Sequence, residues 1–276
     1  MSGISSPEER EYRTAMLSRQ QPLLGESGAR RLEDAVVAHA GLGGGGALTL
    51  ELLARAGIRR FRLLDRDCYE PSNLNRQVFA TAATVGRPKV EVAAERLRQI
   101  NPFVVVEKSF HAPVSLANAE EMVDGADILM VCTDSPSSHI LFQQVARRRQ
   151  VRVVMGAAPA LSCGVWSLPF EQPERRRGPV SLLRSWIGRV RGTADIFALS
   201  EQEALALDGT VNPPGGFTPT ISFVPNCSAC LAAALAINYL SGRDPRPRAL
   251  TMDFHRFHSV GPVAHALATL KRAVTG

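Results

Sequence analysis

The stretch GLGGGG at residues 41–46 puts five glycines between two apolar runs, DAVVAHA and ALTLELLARAG. Gly41, Gly43 and Gly46 fit the G-x-G-x-x-G spacing, in which the first glycine permits a tight turn, the second lets backbone approach phosphate, and the third packs helix on strand. A helix opening there offers N–H groups and a partial positive charge to an anion. Asp65 ends the next apolar run, RRFRLLD, at a distance suited to a ribose hydroxyl. These features serve NAD and ATP equally. The following stretch, DRDCYEPSNLNRQVF, adds Asp67, Asn73, Asn75, Arg76 and Gln77, and VGRPKVE brings Lys89 to a helix start. Hydride transfer wants an apolar wall along the nicotinamide. A triphosphate wants cations that neutralise charge moving toward pyrophosphate, and Arg76 and Lys89 supply them. Asp134, after the run ADILMVC, stands at a strand end where Mg²⁺ is held. Singly, the aspartates read as caps, the asparagines as turn residues and the cations as surface charges. Together they argue for nucleotidyl chemistry over a dehydrogenase or a silent binding module.

Such residues need a scaffold that brings loop ends together. DAVVAHA, RRFRLLD, FVVVEKSF, ADILMVC and QVRVVMGAA read as strands, separated by helical runs such as KVEVAAERLRQI and SPSSHILFQQVARRR. This alternation predicts an α/β fold: a Rossmann-like, mostly parallel sheet flanked by helices. LSCGVWSLPF and RALTMDF suit an antiparallel C-terminal extension, with CSACLAAALAINYLSG as an apolar helix between them. The segment from Pro173 to Phe223 is rich in Pro, Gly and Arg, with a helical patch at Leu182, Leu183, Trp186, Ile187 and Val190, and GTVNPPGGFTPT reads as a loop. The expected division of one domain is a helical segment over 1–32, a nucleotide-binding core over 33–157 and a substrate-facing extension over 158–276.

Composition narrows the setting. A length of 276 residues suits a single core with elaborations. No run reads as the ~18 apolar residues of a membrane span, and the N-terminal stretch, with Glu8, Glu9 and Glu11, does not read as a signal peptide. A cytoplasmic protein without a membrane partner is expected. Five cysteines of irregular spacing argue against a disulfide framework. Six arginines between Arg175 and Arg191 account for much of the +6 net charge. That cluster reads as a solvated face beside an anionic pocket, with a nucleic-acid or acidic-peptide platform as the other reading.

GLGGGGA, D-x-D, S-N-L-N-R-Q, G-x-P-K and C-T-D, in this order, resemble the ThiF/MoeB/HesA family of ubiquitin-activating-like adenylyltransferases. The resemblance runs from about Arg19 to Gly156 and more loosely through the helix after Cys227. It implies an enzyme that binds ATP and Mg²⁺ and adenylates a carboxylate with release of pyrophosphate. The carboxylate is typically the C-terminus of a small ubiquitin-like sulfur carrier, or that of a peptide. By matched position, Gly41, Gly43, Gly44 and Gly46 approach the phosphates, Asp65 binds ribose, Asn73, Arg76 and Lys89 engage the triphosphate, and Asp134 handles Mg²⁺. Asp67, Asn75 and Gln77 complete the nucleotide site. LSRQQPLLGESGARRL resembles the amino-terminal segment whose arginine, here Arg19, reaches the partner subunit's γ-phosphate, implying a homodimer. EYRTAML departs from that segment's usual spelling.

Other departures concern cysteine and substrate. Many members bind zinc through two C-x-x-C pairs; only Cys227 and Cys230 stand here, with His255 and His258 as an improvised completion, so zinc is not expected. Cys163 is the candidate acyl acceptor, yet ALSCGVWSL reads as a buried strand and a structural thiol. The sequence ends without a rhodanese-type domain, so a sulfur donor is expected to come from elsewhere. The alternative within the family is a tRNA threonylcarbamoyladenosine dehydratase-type enzyme using the same ATP site, for which KVEVAAERLRQINP and the arginine cluster speak.

Overall fold

The computed structural model describes residues 6–158, 162–171, 200–211, 220–243 and 249–253. Two helices open it, α1 (Pro7–Leu17) and α2 (Gln21–Asp34), the second kinked at Gly25. Strand and helix then alternate: β1 (Val36–Ala40), α3 (Gly44–Arg55), β2 (Arg60–Leu64), a 3-10 turn at Pro71–Asn73, α4 (Lys89–Ile100), β3 (Val105–Phe110), α5 (Leu116–Val123), β4 (Ile128–Val131), α6 (Pro136–Arg149) and β5 (Arg152–Ala157). After these come β6 (Ser162–Leu168), α7 (Glu201–Val211), α8 (Phe223–Leu240) and β7 (Ala249–Asp253).

The sheet order is β3-β2-β1-β4-β5-β6-β7. β1 through β5 pair in parallel, whereas β6 runs antiparallel to both β5 and β7. Ala40 at the end of β1 lies opposite Leu64 of β2 and Val131 of β4, so three strands end level and their loops emerge along one edge. The chain reverses direction across the sheet between β1 and β4. This is the switch point at which open α/β sheets bind ligands.

Strand alternation divides the core. Val37, Phe61, Leu63, Ile128 and Met130 face Leu50 and Leu53 of α3, Leu97 of α4 and Ala232 and Ala236 of α8. Ala38, Ala40, Leu129 and Val131 face Met122 of α5, Ile140, Phe142 and Val145 of α6 and Ala204 of α7. The expected strands, sheet and antiparallel extension are all present. Contrary to the sequence reading, α8 is long and apolar enough by length and composition to cross a membrane, with a mean hydropathy of 1.5. Its small residues instead let it pack closely along α3, burying Ala229, Ala232, Ala233 and Ala236. Arg152 of β5 fastens the extension to the core, donating to Glu171 at 2.8 Å while its guanidinium lies 4.3 Å from the Tyr239 ring of α8. Two further expectations differ. α7 is a helix the sequence reading passed over, and it carries Gly209–Val211 out of the expected loop. The arginine cluster, the helical patch, His255 and His258 lie outside the described residues.

Candidate active site

The glycine run forms the turn from β1 into the first turn of α3. Gly41 has φ +88° and donates to the Leu64 carbonyl at 2.8 Å. A Cβ there would stand 2.5 Å from the Cys132 carbonyl, and one on Gly46 would strike the Gly41 carbonyl. Gly43 is the N-cap of α3 and has no side chain to cap it. Gly44 is tight for another reason: Pro225 of α8 lies 3.1 Å from where its Cβ would be. Gly45 meets only the Pro225 carbonyl, at 3.4 Å. The extra glycines are therefore not equivalent, and Gly44 lets a second helix approach the loop.

The β2 side of the loop is held by charges. Asp65 is buried and accepts from Leu42 N–H at 2.6 Å and Asp67 N–H at 2.9 Å. Burial raises its carboxyl above the ordinary value, opposed by Lys89 and these two N–H donors. Its first structural task is thus to pin the glycine loop, and each carboxylate oxygen retains acceptor capacity for a hydroxyl. Lys89 opens α4, is 5% exposed, and donates to Asp67 at 3.0 Å. Tyr69 is buried beside it, with its hydroxyl directed to the Leu42 carbonyl at 3.5 Å.

The SNLNRQ segment lies over the loop. Asn73 is buried and spends its side chain on its own turn, accepting from Glu70 N–H at 3.1 Å and donating to Ser72 at 3.3 Å. Arg76 passes beside Gly44, its Cγ 3.6 Å from where a Cβ would be, and donates to the Ser72 carbonyl at 2.8 Å and Asn75 at 2.9 Å. Asn75 in turn donates to the Thr220 carbonyl at 3.5 Å. Gln77 is buried with Nε2 3.8 Å from the Cβ position of Gly43, and its Oε1 has no partner among the described residues.

Beyond β4, Cys132 lies under the loop, where burial pushes its thiol up to about 12. Thr133 follows with a buried, unpartnered Oγ1, and Asp134 is exposed just before Ser135, the N-cap of α6. The structure thus gathers the glycines, Asp65, Asp67, Asn75, Arg76, Gln77, Lys89 and Asp134 along one edge, with Asn73 supporting the turn. Among the described residues there is no group of three potential metal ligands. Mg²⁺ bound through nucleotide phosphates needs only one or two carboxylates, a demand Asp134 fits.

Arg19 is elsewhere. It is exposed in the turn between α1 and α2, where neighbouring Gln20 donates to the Ala56 carbonyl at 2.7 Å. That is the far end of α3, whose 12 residues span about 18 Å. Arg19 therefore does not join the glycine loop of its own chain. Cys163 of β6 is 3% exposed, and burial, with Cys227 nearby, raises its thiol. Cys227 and Cys230 are free thiols on α8, half-buried and exposed respectively. Thr133, Thr220, Pro225 and Asn226 were not expected at the site. Only Thr133 carried a sequence signal, inside C-T-D; the others reach the loop from far along the chain.

A glycine turn, a buried lysine and two strand-end aspartates at a switch point define a nucleotide-binding α/β protein of Rossmann-like type. The ThiF family model matches residues 17–269, and the chain belongs to the ThiF family. A SAMP-activating enzyme E1 of Haloferax volcanii is 32% identical over 196 residues, covering 67% of this chain and 72% of that protein. The adenylyltransferase and sulfurtransferase UBA4 of Eremothecium gossypii is 37% identical over 142 residues, which are 50% of this chain but only 32% of that longer protein. In structure, E. coli tRNA N6-threonylcarbamoyladenosine dehydratase in complex with AMP is similar with a TM-score of 0.62 at 25% identity, covering 87% of this chain and 97% of that one.

Proposed function

We propose that this protein is an ATP-Mg²⁺-dependent adenylyltransferase that activates a carboxylate as an acyl adenylate. The observation that carries this reading is the convergence of Arg76, Lys89 and Asp134 on one glycine loop at the β1/β4 switch point. A substrate carboxylate oxygen attacks the α-phosphorus, the bond to the bridging oxygen of the β-phosphate breaks, and pyrophosphate leaves. The loop N–H groups and the start of α3 hold phosphate oxygens. Asp65 accepts from a ribose hydroxyl with its remaining lone pairs. Lys89 and Arg76 oppose the charge that builds on the leaving pyrophosphate, stabilising the transition state more than the ground state. Asp134 would hold Mg²⁺, which would supply further positive charge to offset that of the phosphates.

The acyl partner on this reading is the C-terminus of a ubiquitin-like carrier protein or of a peptide, in keeping with the Haloferax volcanii relative, named for activating SAMP. The enzyme works in the cytoplasm as a homodimer, in which Arg19 serves the partner's site, since it lies far from its own. On this reading the choice of acyl partner falls to residues 158–276 and nucleotide binding to residues 33–157. The coverage of the E. coli dehydratase favours one second reading, a tRNA-modifying enzyme using the same ATP site.

Exchange of labelled pyrophosphate into ATP separates the two. Exchange that needs a free C-terminal carboxylate and disappears in Asp134→Ala supports carrier or peptide activation. Stimulation by tRNA alone transfers the site to the second reading. Undiminished exchange in Asp134→Ala would place the chemistry elsewhere.

A further inference from the structure

The wall facing the charged β2 side is built differently. α8 starts at Phe223 and seats Pro225 against Gly44 and Gly45, so its first turn abuts the phosphate-facing turn of α3. Thr220, just before it, is tied to the SNLNRQ segment through Asn75. Thr220 Oγ1 and Asn226 Oδ1 are both buried without a hydrogen-bond partner among the described residues. Gln77 Oε1, on a side chain 6% exposed and set against Gly43, is in the same condition, as is Thr133 Oγ1 just past the end of β4. A buried polar group left without a hydrogen-bond partner destabilises the fold. Four such groups on three separate segments bordering one glycine loop mark a place where a polar ligand completes the hydrogen bonding.

Their chemistry indicates which part of the ligand. None carries charge, and all four are hydroxyls or amides. A hydroxyl donates by rotating its proton, and an Asn226 amide turned over, its Oδ1 meeting no donor among the described residues, would present Nδ2 instead. Such groups bind phosphate oxygens without fixing them as strongly as a cation, which suits a group that must depart as pyrophosphate. Asn226 directly follows Pro225, which packs on Gly44 and Gly45, and Gln77 lies against Gly43, whereas the ribose-directed Asp65 lies on the β2 side of the loop.

We propose that Asn226 and Thr220, at the start of α8, form a neutral subsite for the β- and γ-phosphates of ATP, completing the site opposite Lys89. The proposal rests on the adenylyltransferase reading above and adds two binding residues to it. Because AMP lacks the phosphates concerned, the two nucleotides distinguish this role from a general one.

The test is titration calorimetry of the full chain with ATP-Mg²⁺ and with AMP, for the wild type, Asn226→Ala, Asn226→Asp and Thr220→Val, with thermal unfolding as the check on folding. The expected result is about a tenfold loss of ATP affinity in Asn226→Ala and about fivefold in Thr220→Val, with AMP within about twofold of wild type. Asn226→Asp keeps the shape and adds a negative charge, so it loses more ATP affinity than Asn226→Ala. Unchanged ATP affinity in folded variants would overturn the proposal, as would parallel losses for ATP and AMP. Should one variant fail to fold, the others carry the same readout. A wild type that binds AMP and not ATP also overturns it, and one that binds neither removes the adenylyltransferase reading itself.

Discussion

The two flanks of the glycine loop solve the same packing problem in opposite ways. On the β2 flank, Asp65 accepts two backbone N–H groups and Lys89 is paired with Asp67 before any ligand arrives. On the flank formed by α8 and the end of β4, Thr133, Thr220 and Asn226 hold buried polar atoms with no partner among the described residues. One wall is preorganised by an ion pair and backbone hydrogen bonds. On the proposed reading, the other is completed by what binds. Preorganised charge costs no rearrangement at the moment of reaction and belongs where charge develops, whereas neutral donors suit a group that must be released.

Lys89→Ala should break this contrast most severely. We expect pyrophosphate exchange to fall about 10²–10³-fold, measured as kcat/KM, with the fold retained because Lys89 sits at the start of its helix. Retained exchange would remove the charged wall from the chemistry. Within the loop itself, Gly46→Ala should destabilise by about 1–3 kcal/mol in urea unfolding, since its Cβ would strike the Gly41 carbonyl. Gly45→Ala meets only ordinary contact and gains helix propensity, so it should be neutral or stabilising by about 0.5–1 kcal/mol. Equal effects at the two positions would mean that the loop is looser than its contacts imply.

A fourth variant concerns the floor beneath both walls. His39 of β1 is fully buried, neither ring nitrogen has a partner among the described residues, and burial lowers its pKa to about 3. In the unfolded chain a histidine titrates near ~6.5, so the unfolded state binds more protons between these values. Stability contributed by neutral His39 is fully present above the unfolded value and is lost as pH falls from there toward 3, by about 1.4 kcal/mol per unit. His39→Leu should flatten that slope in urea unfolding between pH 6 and 4. An unchanged slope would contradict the burial argument. The smallest effect is expected at Asp67→Asn, about two- to fivefold in exchange, because Asp67 is half-exposed and its loss leaves the Lys89 charge in place.

Most of the parallel half was legible in sequence because its signals are local. Strand, glycine turn, helix and the aspartate ending β2 follow one another within thirty residues, and each strand is a short apolar run. The other wall was not legible. The helix was expected only from Cys227, whereas α8 begins at Phe223 and carries Pro225 in its first turn, where proline is tolerated. The contact of Pro225 with Gly44 joins distant parts of the chain and leaves no periodic trace. α7 did leave one: Ser200 and Glu203 form a reciprocal cap, with Ser200 N–H donating to Glu203 at 2.7 Å and Glu203 N–H to Ser200 at 3.2 Å. It was lost beside the Pro- and Arg-rich stretch that precedes it. Asn73 shows a different limit. Its place in SNLNRQ suggested a phosphate contact, while its side chain closes its own turn.

On the proposed reading, the β1/β4 crevice is an ATP site organised by Lys89. Titration of the wild-type chain and of Lys89→Ala with ATP-Mg²⁺ tests it directly. One saturable site per chain is expected in the wild type, with a loss of affinity of at least about tenfold in the variant. No binding to the wild type, or equal binding by the two proteins, would contradict it.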